Sequence, residues 1–439
     1  MTERQVIRTL IVEIPSAPGS FAKVATAIGN VGGDIGDIKT IKIGTLSTVR
    51  DITVVCEDDD ELNAVVSEVE ALGNGVKILA VTDDVLKAHE GGKIHMKSKT
   101  DVRSLSDLRR VYTPGVANVC EEIQRHPEKA RYFTSIGNTV AIVTDGTAVL
   151  GLGNIGPVAG MPVMEGKAVL FDQFAGISGV PVLLDTSDPD KVVETVKHIH
   201  QSYGAILLED IGSPHCFEIE ERLKAELPIP VMHDDQHGTA VVTLASFLTA
   251  CKAAEIDPAK AVVGQIGLGA AGIAICRMLM AYGVKDVFGI DLNEEAVNRL
   301  KGYGGKTMDS LNDLMDTCDI VIATTGVQGL IKPEMVKKGQ VILALSNPHP
   351  EIRPEDALEA GAAFAADGRL VNNVLGFPGI FRGALNAEAK EITYAMLIAA
   401  AEAIVDNTRP GDLVPNALNP AVHQAVAEAV ERVASIKAK

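Results

Sequence analysis

Between residues 8 and 82 the apolar positions recur in two rhythms. The runs Thr9 to Ile14, Ile35 to Ile43, Val49 to Val55 and Val76 to Val81 are rich in β-branched residues and short enough for strands. Ser20 to Ile28 and Asp60 to Leu72 instead repeat their apolar positions at helical spacing. The order βαββαβ predicts a ferredoxin-like plait. A polar stretch from Asp83 to Thr100, with Gly91-Gly92 and lysines 87, 93, 97 and 99, reads as a linker. Beyond it, the apolar runs Val140 to Val143, Val180 to Leu184 and Ala205 to Leu208 alternate with the helical segments Ala117 to His126 and Lys191 to Ser202, which predicts a parallel sheet. A second α/β unit begins near Thr239, whose helix through Ala253 leads to the run Ala261 to Ile266. The tail from Ala384 is helical and broken at Asn407-Thr408-Arg409-Pro410-Gly411. The expected fold class is therefore α/β: a plait over 1–82, a linker over 83–100, an α/β domain over 101–238, and a Rossmann-type doubly wound parallel-sheet domain with C-terminal helices over 239–439.

Composition narrows what such a chain can do. The 439 residues exceed one ordinary core, and 46% hydrophobic residues with 41 glycines and 4% aromatics suit Val/Ile-rich strands and close turns. A formal charge of −18 without a concentrated basic patch argues against nucleic acid or anionic membrane as partner. The six cysteines (56, 120, 216, 251, 276, 318) form no CxxC pair, so neither a disulfide framework nor a thiolate zinc site is expected. With no leader pattern and no run of about eighteen apolar residues, the expectation is a soluble, cytoplasmic protein. Within the first eighty residues, Ser16-Ala17-Pro18-Gly19 and Gly32-Gly33-Asp34-Ile35 resemble the turns of the ACT family of amino-acid-sensing regulatory modules. The resemblance implies a small-molecule effector near Ala17 to Phe21 and Gly32 to Ile35; a plait that only dimerises is the alternative.

The pattern GxGxxG occurs twice. The second copy, Gly267-Leu268-Gly269-Ala270-Ala271-Gly272, follows the run Ala261 to Ile266, opens the helical segment Ala270 to Tyr282, and precedes Asp291 at the end of Val287 to Ile290. That context is what a dinucleotide fingerprint requires: a strand, a helix N-terminus for the pyrophosphate, and an acid for the ribose. Asp291 would accept a ribose 2′-hydroxyl and repel a 2′-phosphate, so NAD is preferred over NADP, with Arg299 and Lys301 as the residues able to reverse this. The first copy, Gly151-Leu152-Gly153-Asn154-Ile155-Gly156, meets Pro157 and then Gly160-Met161-Pro162, so it is expected to form a packed loop near the substrate with no immediate helix.

Upstream lie two acidic clusters, Glu209-Asp210 and His233-Asp234-Asp235-Gln236-His237-Gly238. Carboxylates so grouped repel unless a cation sits between them. An all-oxygen donor set favours Mg²⁺ or Mn²⁺ over zinc, and His233 and His237, with no third nitrogen or sulfur nearby, are expected to make structural hydrogen bonds instead.

YTPGVA, TDGTAVLGLGNIGP, MPVMEGK, LLEDI, HDDQHGTA, SNP and VNNVLGFPG occur in this order between residues 100 and 439 and resemble the motifs of the malic enzyme family. The resemblance implies oxidative decarboxylation of (S)-malate to pyruvate with NAD and a divalent metal. It implies Glu209, Asp210 and Asp235 as metal ligands, with Asp234 beside them orienting the base. It further implies Lys167 as general base for the C2 hydroxyl, its pKa lowered by burial and the metal, Tyr112 as the acid that protonates C3, and Asn347, Asn372 and Asn373 as substrate-contacting amides, Asn347 also reaching the cofactor. Larger members carry an arginine for the malate carboxylate where this chain has Thr147-Ala148, leaving Arg109 or Arg110 as substitutes. A homodimer or larger assembly is implied. A malolactic-type enzyme releasing lactate, an NADP-preferring enzyme, and a ligand sensor with an inactive enzyme part are the alternatives.

Overall fold

The computed structural model describes residues 6–149, 151–347, 349–369 and 371–437. Leu150 and Pro348, which fall in two of the motifs above, and residues 1–5 of the plait lie outside the described residues. The chain divides into two compact units, Met1–His95 and Met96–Lys439.

In the first unit, strand β1 (Val6–Pro15), helix α1 (Ser20–Asn30), strands β2 (Asp34–Ile43) and β3 (Ser47–Cys56), helix α2 (Asp59–Ala71) and strand β4 (Lys77–Thr82) follow in the anticipated order. They form an antiparallel four-stranded sheet in the order β2-β3-β1-β4. Alternation decides its faces. Leu10, Val12 and Ile14 of β1 and Ile52, Val54 and Cys56 of β3 point together into a core closed by Val24, Ala27, Ile28, Leu62, Val65 and Val69 of the two helices. A short helix, α3 (Asp84–His89), capped by Asp83, occupies part of the stretch anticipated as linker.

The second unit opens with α4 (Leu105–Val111), α5 (Val116–Arg125) and the single turn α6 (Ala130–Phe133), none of which buries a residue. A parallel sheet follows in the order β6-β5-β7-β8, from β5 (Thr139–Thr144), β6 (Ser178–Leu183), β7 (Ala205–Leu208) and β8 (Val231–His233), with helices α7 (Pro157–Ala175), α8 (Pro189–Ile199) and α9 (His215–Glu226) between its strands. Strands β5 and β7 are buried along their whole length, as continuous apolar runs in covered parallel sheets must be. After α10 (Thr239–Ala253) comes a six-stranded parallel sheet in the order β11-β10-β9-β12-β13-β14. Its strands are β9 (Val262–Ile266), β10 (Asp286–Ile290), β11 (Lys306–Thr307), β12 (Ile320–Ala323), β13 (Val341–Ala344) and β14 (Phe364–Asp367), and its helices are α11 (Ala270–Tyr282), α12 (Glu294–Gly302), α13 (Leu311–Thr317) and α14 (Pro354–Glu359). The reversal of strand order beside β9 is the topological switch at which such sheets bind ligands.

The tail comprises α15 (Phe377–Asn386), α16 (Tyr394–Asp406) and α17 (Pro420–Lys437). Gly379 and Gly383 let α15 press on α17, since a methyl group there would fall 2.8 Å from His423 O and 2.4 Å from Ala427 O. The Phe377 and Phe381 rings meet Phe171 of α7 edge-on at 4.9 and 5.4 Å, pinning α7 from this side.

One expectation fails here. Helix α7 starts directly after Gly156, with Pro157 in its first turn and Pro162 inside it. Proline suits a first helical position because its missing N–H would be unpaired there anyway, so the prolines that argued against a helix begin one. Among the described residues no helix is long and apolar enough to cross a membrane.

Candidate active site

The carboxyl ends of β7 and β8 lie side by side, and the acids there converge. Glu209 and Asp210 follow β7; Asp234 and Asp235 follow β8 in a five-residue π-helical turn, Asp234–Gly238. One carboxylate oxygen from each of Glu209, Asp210 and Asp235 falls within 4.8 Å of the others. The turn is tied to the neighbouring strand by the Asp210 N–H, which donates to Asp235 Oδ2 at 3.0 Å. Asp210 has φ 54°, a left-handed conformation that L residues adopt at a cost, and its backbone carbonyl accepts from Ala148 N–H at 3.0 Å.

Lys167 reaches this cluster from the third turn of α7. It is 7% exposed, pairs with Asp234, lies 2.9 Å from Glu209 Oε1, and rests over the Phe377 ring at 4.6 Å. Four carboxylates thus surround one ammonium. Burial pushes Glu209 well above the usual carboxylate range, Lys167 opposing it, and burial together with Asp235 raises Asp210 to about 7. For Lys167 burial acts downward, but Asp234 and Glu209 outweigh it and hold the amine above the ordinary lysine range. Burial, read from the sequence, acts on the amine in the expected direction; the carboxylates touching Nζ, which the sequence did not show, act against it.

The oxygens suit a cation. Among the described residues, Glu209 Oε2 and Asp210 Oδ2 are buried with no hydrogen-bond partner, which hard Mg²⁺ or Mn²⁺ would remedy. His233 and His237 stay out of the donor set, as expected: His237 Nε2 meets Glu220 Oε2 at 2.9 Å and the His233 backbone donates to Glu220 Oε1 at 3.0 Å. Burial acts upward on Glu220, yet His237, Lys224 and His233 together bring it down to about 2. Sequence reasoning missed Glu220. The signal was a glutamate on the buried stripe of α9, in helical register with Cys216, Phe217, Ile219 and Leu223. Asp145 was also missed; it is 4% exposed and accepts from Thr147 N–H at 3.0 Å.

The glycine-rich turn takes the anticipated strand–turn–helix form. Gly267 lies at φ 87° after β9, Gly269 caps α11, and Gly272 sits where a methyl group would meet Gly267 O at 1.9 Å. Asp291 Oδ2 accepts from Leu268 N–H at 2.6 Å and its Oδ1 from Asn293 N–H at 2.8 Å, so this acid braces the glycine turn itself. Arg299 stacks over Phe217 at 4.7 Å. Buried Glu351 joins the loops after β12 and β13, accepting from Thr325 N–H at 2.7 Å and Ser346 Oγ at 2.5 Å.

The remaining expected residues are placed unevenly. Asn373 borders Gly238 and Asp234. Asn372 accepts from Val374 N–H, and Asn347 gives one amide hydrogen to Gly368 O at 3.0 Å. Tyr112 is 66% exposed at the end of α4, with no side-chain contact to Lys167 or the acids; Arg109 and Arg110 are exposed on the same helix.

Two family models match the chain, malic enzyme N-terminal domain over residues 92–224 and malic enzyme NAD binding domain over 305–438. NAD-dependent malic enzyme 1 of Bacillus subtilis is 65% identical over 434 residues, 99% of both chains. The chain belongs to the malic enzyme family. NAD-dependent malic enzyme of Geobacillus stearothermophilus is 44% identical over 94% of this chain and 91% of its own. The crystal structure of malic enzyme from Pyrococcus horikoshii superposes with a TM-score of 0.77 at 40% identity, covering 81% of this chain and 90% of that one. Membership is consistent with a glycine-rich turn and an acidic cluster sharing the second unit.

Proposed function

We propose that the chain catalyses NAD-dependent, metal-dependent oxidative decarboxylation of (S)-malate to pyruvate and CO₂. The observation that carries this reading is the convergence of Glu209, Asp210 and Asp235 beside buried Lys167. When bound, Mg²⁺ or Mn²⁺ supplies Lewis-acid polarisation of the substrate oxygens, and NAD accepts the hydride. The cation is held by Glu209, Asp210 and Asp235, and the cofactor by Gly267 to Gly272 with Asp291 and Asn347. Lys167 takes the C2 hydroxyl proton on Nζ while Asp234 fixes where that amine points. The carboxylates that hold Lys167 protonated include Glu209 and Asp235, two of the three that a cation would neutralise, so cation loading also frees the base. Asn373, next to Asp234, Asn372 and Asn347 orient the substrate carboxylates. Tyr112 delivers the proton to C3 after CO₂ departs, and this role requires the assembled protein to bring the phenol to a site that the single chain leaves apart from it.

Assembly as a homodimer or larger follows from the same region. Helices α4 and α5 bury nothing, while Leu105, Val111 and Tyr112 are 75%, 41% and 66% exposed, an apolar surface that a second copy would cover. The first unit, with its βαββαβ order and sheet order β2-β3-β1-β4, supports the ferredoxin-like, ACT-like reading and an effector site near Ala17 to Phe21 and Gly32 to Ile35. Gly19 and Gly32, at φ 81° and 96°, supply the two turns.

Purified protein given malate, Mn²⁺ and NAD should produce NADH, pyruvate and CO₂. Lactate in place of pyruvate would establish malolactic chemistry, a stronger response to NADP would reverse the cofactor preference, and no turnover with either nucleotide would overturn the reading. Removal of residues 1–82 tests the first unit: unchanged kinetics and oligomer size would make it neither sensor nor assembly element.

A further inference from the structure

Glu220 belongs to α9 and has been given no role with metal, cofactor or substrate, yet it is only 3% exposed. Burying a carboxylate is costly unless its oxygens are bonded to donors, and those of Glu220 are. Oε1 accepts from the His233 backbone N–H at 3.0 Å, and Oε2 meets His237 Nε2 at 2.9 Å, with Lys224 Nζ 3.9 Å from Oε1. The two histidines bracket Asp234 and Asp235, so one carboxylate grips the chain immediately before the acids and two residues after them. Such turns are rare and gather at functional sites, where their wider coil aims side chains that an α-helix would send elsewhere. Ile219 and Leu223 already supply the apolar packing of α9, which leaves the charge at 220 without a packing reason.

We infer that Glu220 is a positioning residue: by holding the His233 backbone and the His237 imidazole, it sets Asp235 for a divalent cation and Asp234 for Lys167. The inference rests on the assignment of Glu209, Asp210 and Asp235 as the cation's ligands. It differs from a plain tether between α9 and β8 in one measurable respect. A tether would lower stability and leave metal affinity in the folded protein alone, whereas a positioning brace would weaken metal binding in protein that still takes up the nucleotide.

The test uses the full chain and its Glu220→Ala and Glu220→Gln variants. Free Mn²⁺ is followed by electron paramagnetic resonance during titration, and NADH binding by the nucleotide's own fluorescence. Glu220→Ala should raise the Kd for Mn²⁺ at least tenfold, in the range found when groups that orient metal ligands are removed, with the Kd for NADH changed less than twofold. Glu220→Gln keeps an acceptor for the His233 N–H and should fall between wild type and Ala. A Kd for Mn²⁺ within threefold of wild type in Glu220→Ala, with NADH bound normally, overturns the inference. If Glu220→Ala fails to bind NADH and is therefore misfolded, the glutamine variant decides, and a wild-type Kd for Mn²⁺ there is equally fatal. Wild-type protein that takes up no Mn²⁺ overturns the ligand assignment itself, and with it this inference.

Discussion

Gly238 should be replaceable in the fold and irreplaceable in the site. Its backbone angles, φ −61° and ψ −48°, are those of an ordinary right-handed helix, so no conformational need for glycine exists there. What alanine would add is a methyl group 1.9 Å from Asp234 Oδ1, 2.8 Å from its Cγ and 3.3 Å from Asn373 Cβ. To reach an ordinary contact the Asp234 oxygen must retreat by about 1.5 Å. Asp234 holds Lys167, so the amine proposed as base moves with it.

Stability and rate should therefore separate. Overpacking costs about 1–3 kcal/mol, and the better helix propensity of alanine returns up to ~1 kcal/mol, leaving a net loss of roughly 0–3 kcal/mol. Displacement of a catalytic group by an ångström or more costs on the order of a hundredfold in rate. Gly238→Ala should thus melt within a few degrees of wild type while kcat, followed by NADH absorbance at saturating malate, Mn²⁺ and NAD, falls about a hundredfold. Gly302→Ala is the matched control, because a methyl group at this end of α12 meets nothing within 4 Å. A kcat within threefold of wild type in Gly238→Ala would refute the placement of Asp234 against Lys167.

Three further outcomes follow from the geometry. Mn²⁺ at a hundred times its Kd should stabilise the protein by about 2.7 kcal/mol in thermal melts, with no shift in an Asp235→Ala, Asp210→Ala double variant; an equal shift in both would place the ions elsewhere. Asp291→Ala, which frees the Leu268 and Asn293 amides, should raise KM for NAD at least tenfold and leave Mn²⁺ affinity intact; an unchanged KM would mean that the glycine turn holds without this brace. In native protein at pH 7.5, iodoacetamide should label Cys120, the exposed thiol. Burial raises Cys56 and pushes Cys216, Cys251, Cys276 and Cys318 up to about 12; the thiolate fraction falls about tenfold for each pH unit below a thiol's pKa, so these four react appreciably only as pH climbs far past neutrality. Rapid labelling of any of the four, read by peptide mass mapping, would contradict their packing.

The elements most legible in the sequence are those whose information is local. Helices α10 and α11 and strand β7 occupy the residues at which their periodicity places them, and the glycine turn lies between strand and helix as its spacing requires. Helix α7 is hidden because Pro157 and Pro162 both read as helix breakers, although Pro157 sits in the first turn, where proline is tolerated, and the Phe171 contact with Phe377 and Phe381 that packs the helix is distant in sequence. The site divides in the same way. Acidic clusters announce themselves by repulsion, but the residues that make the repulsion tolerable are distant in sequence: Lys167 lies 67 positions before Asp234, and Glu220 is 17 before His237. Neither pairing follows from spacing, because it is the parallel order β5-β7-β8 that sets α7 and α9 around one strand end. The charge state of Lys167 is a consequence of that order. An isolated buried lysine would lose its proton, whereas one placed between Asp234 and Glu209 keeps it until something more positive takes those carboxylates. Lys167, the acids proposed to hold the metal and Glu220 behind them thus form a single electrostatic unit, and substitution of any one should be felt by the others non-additively.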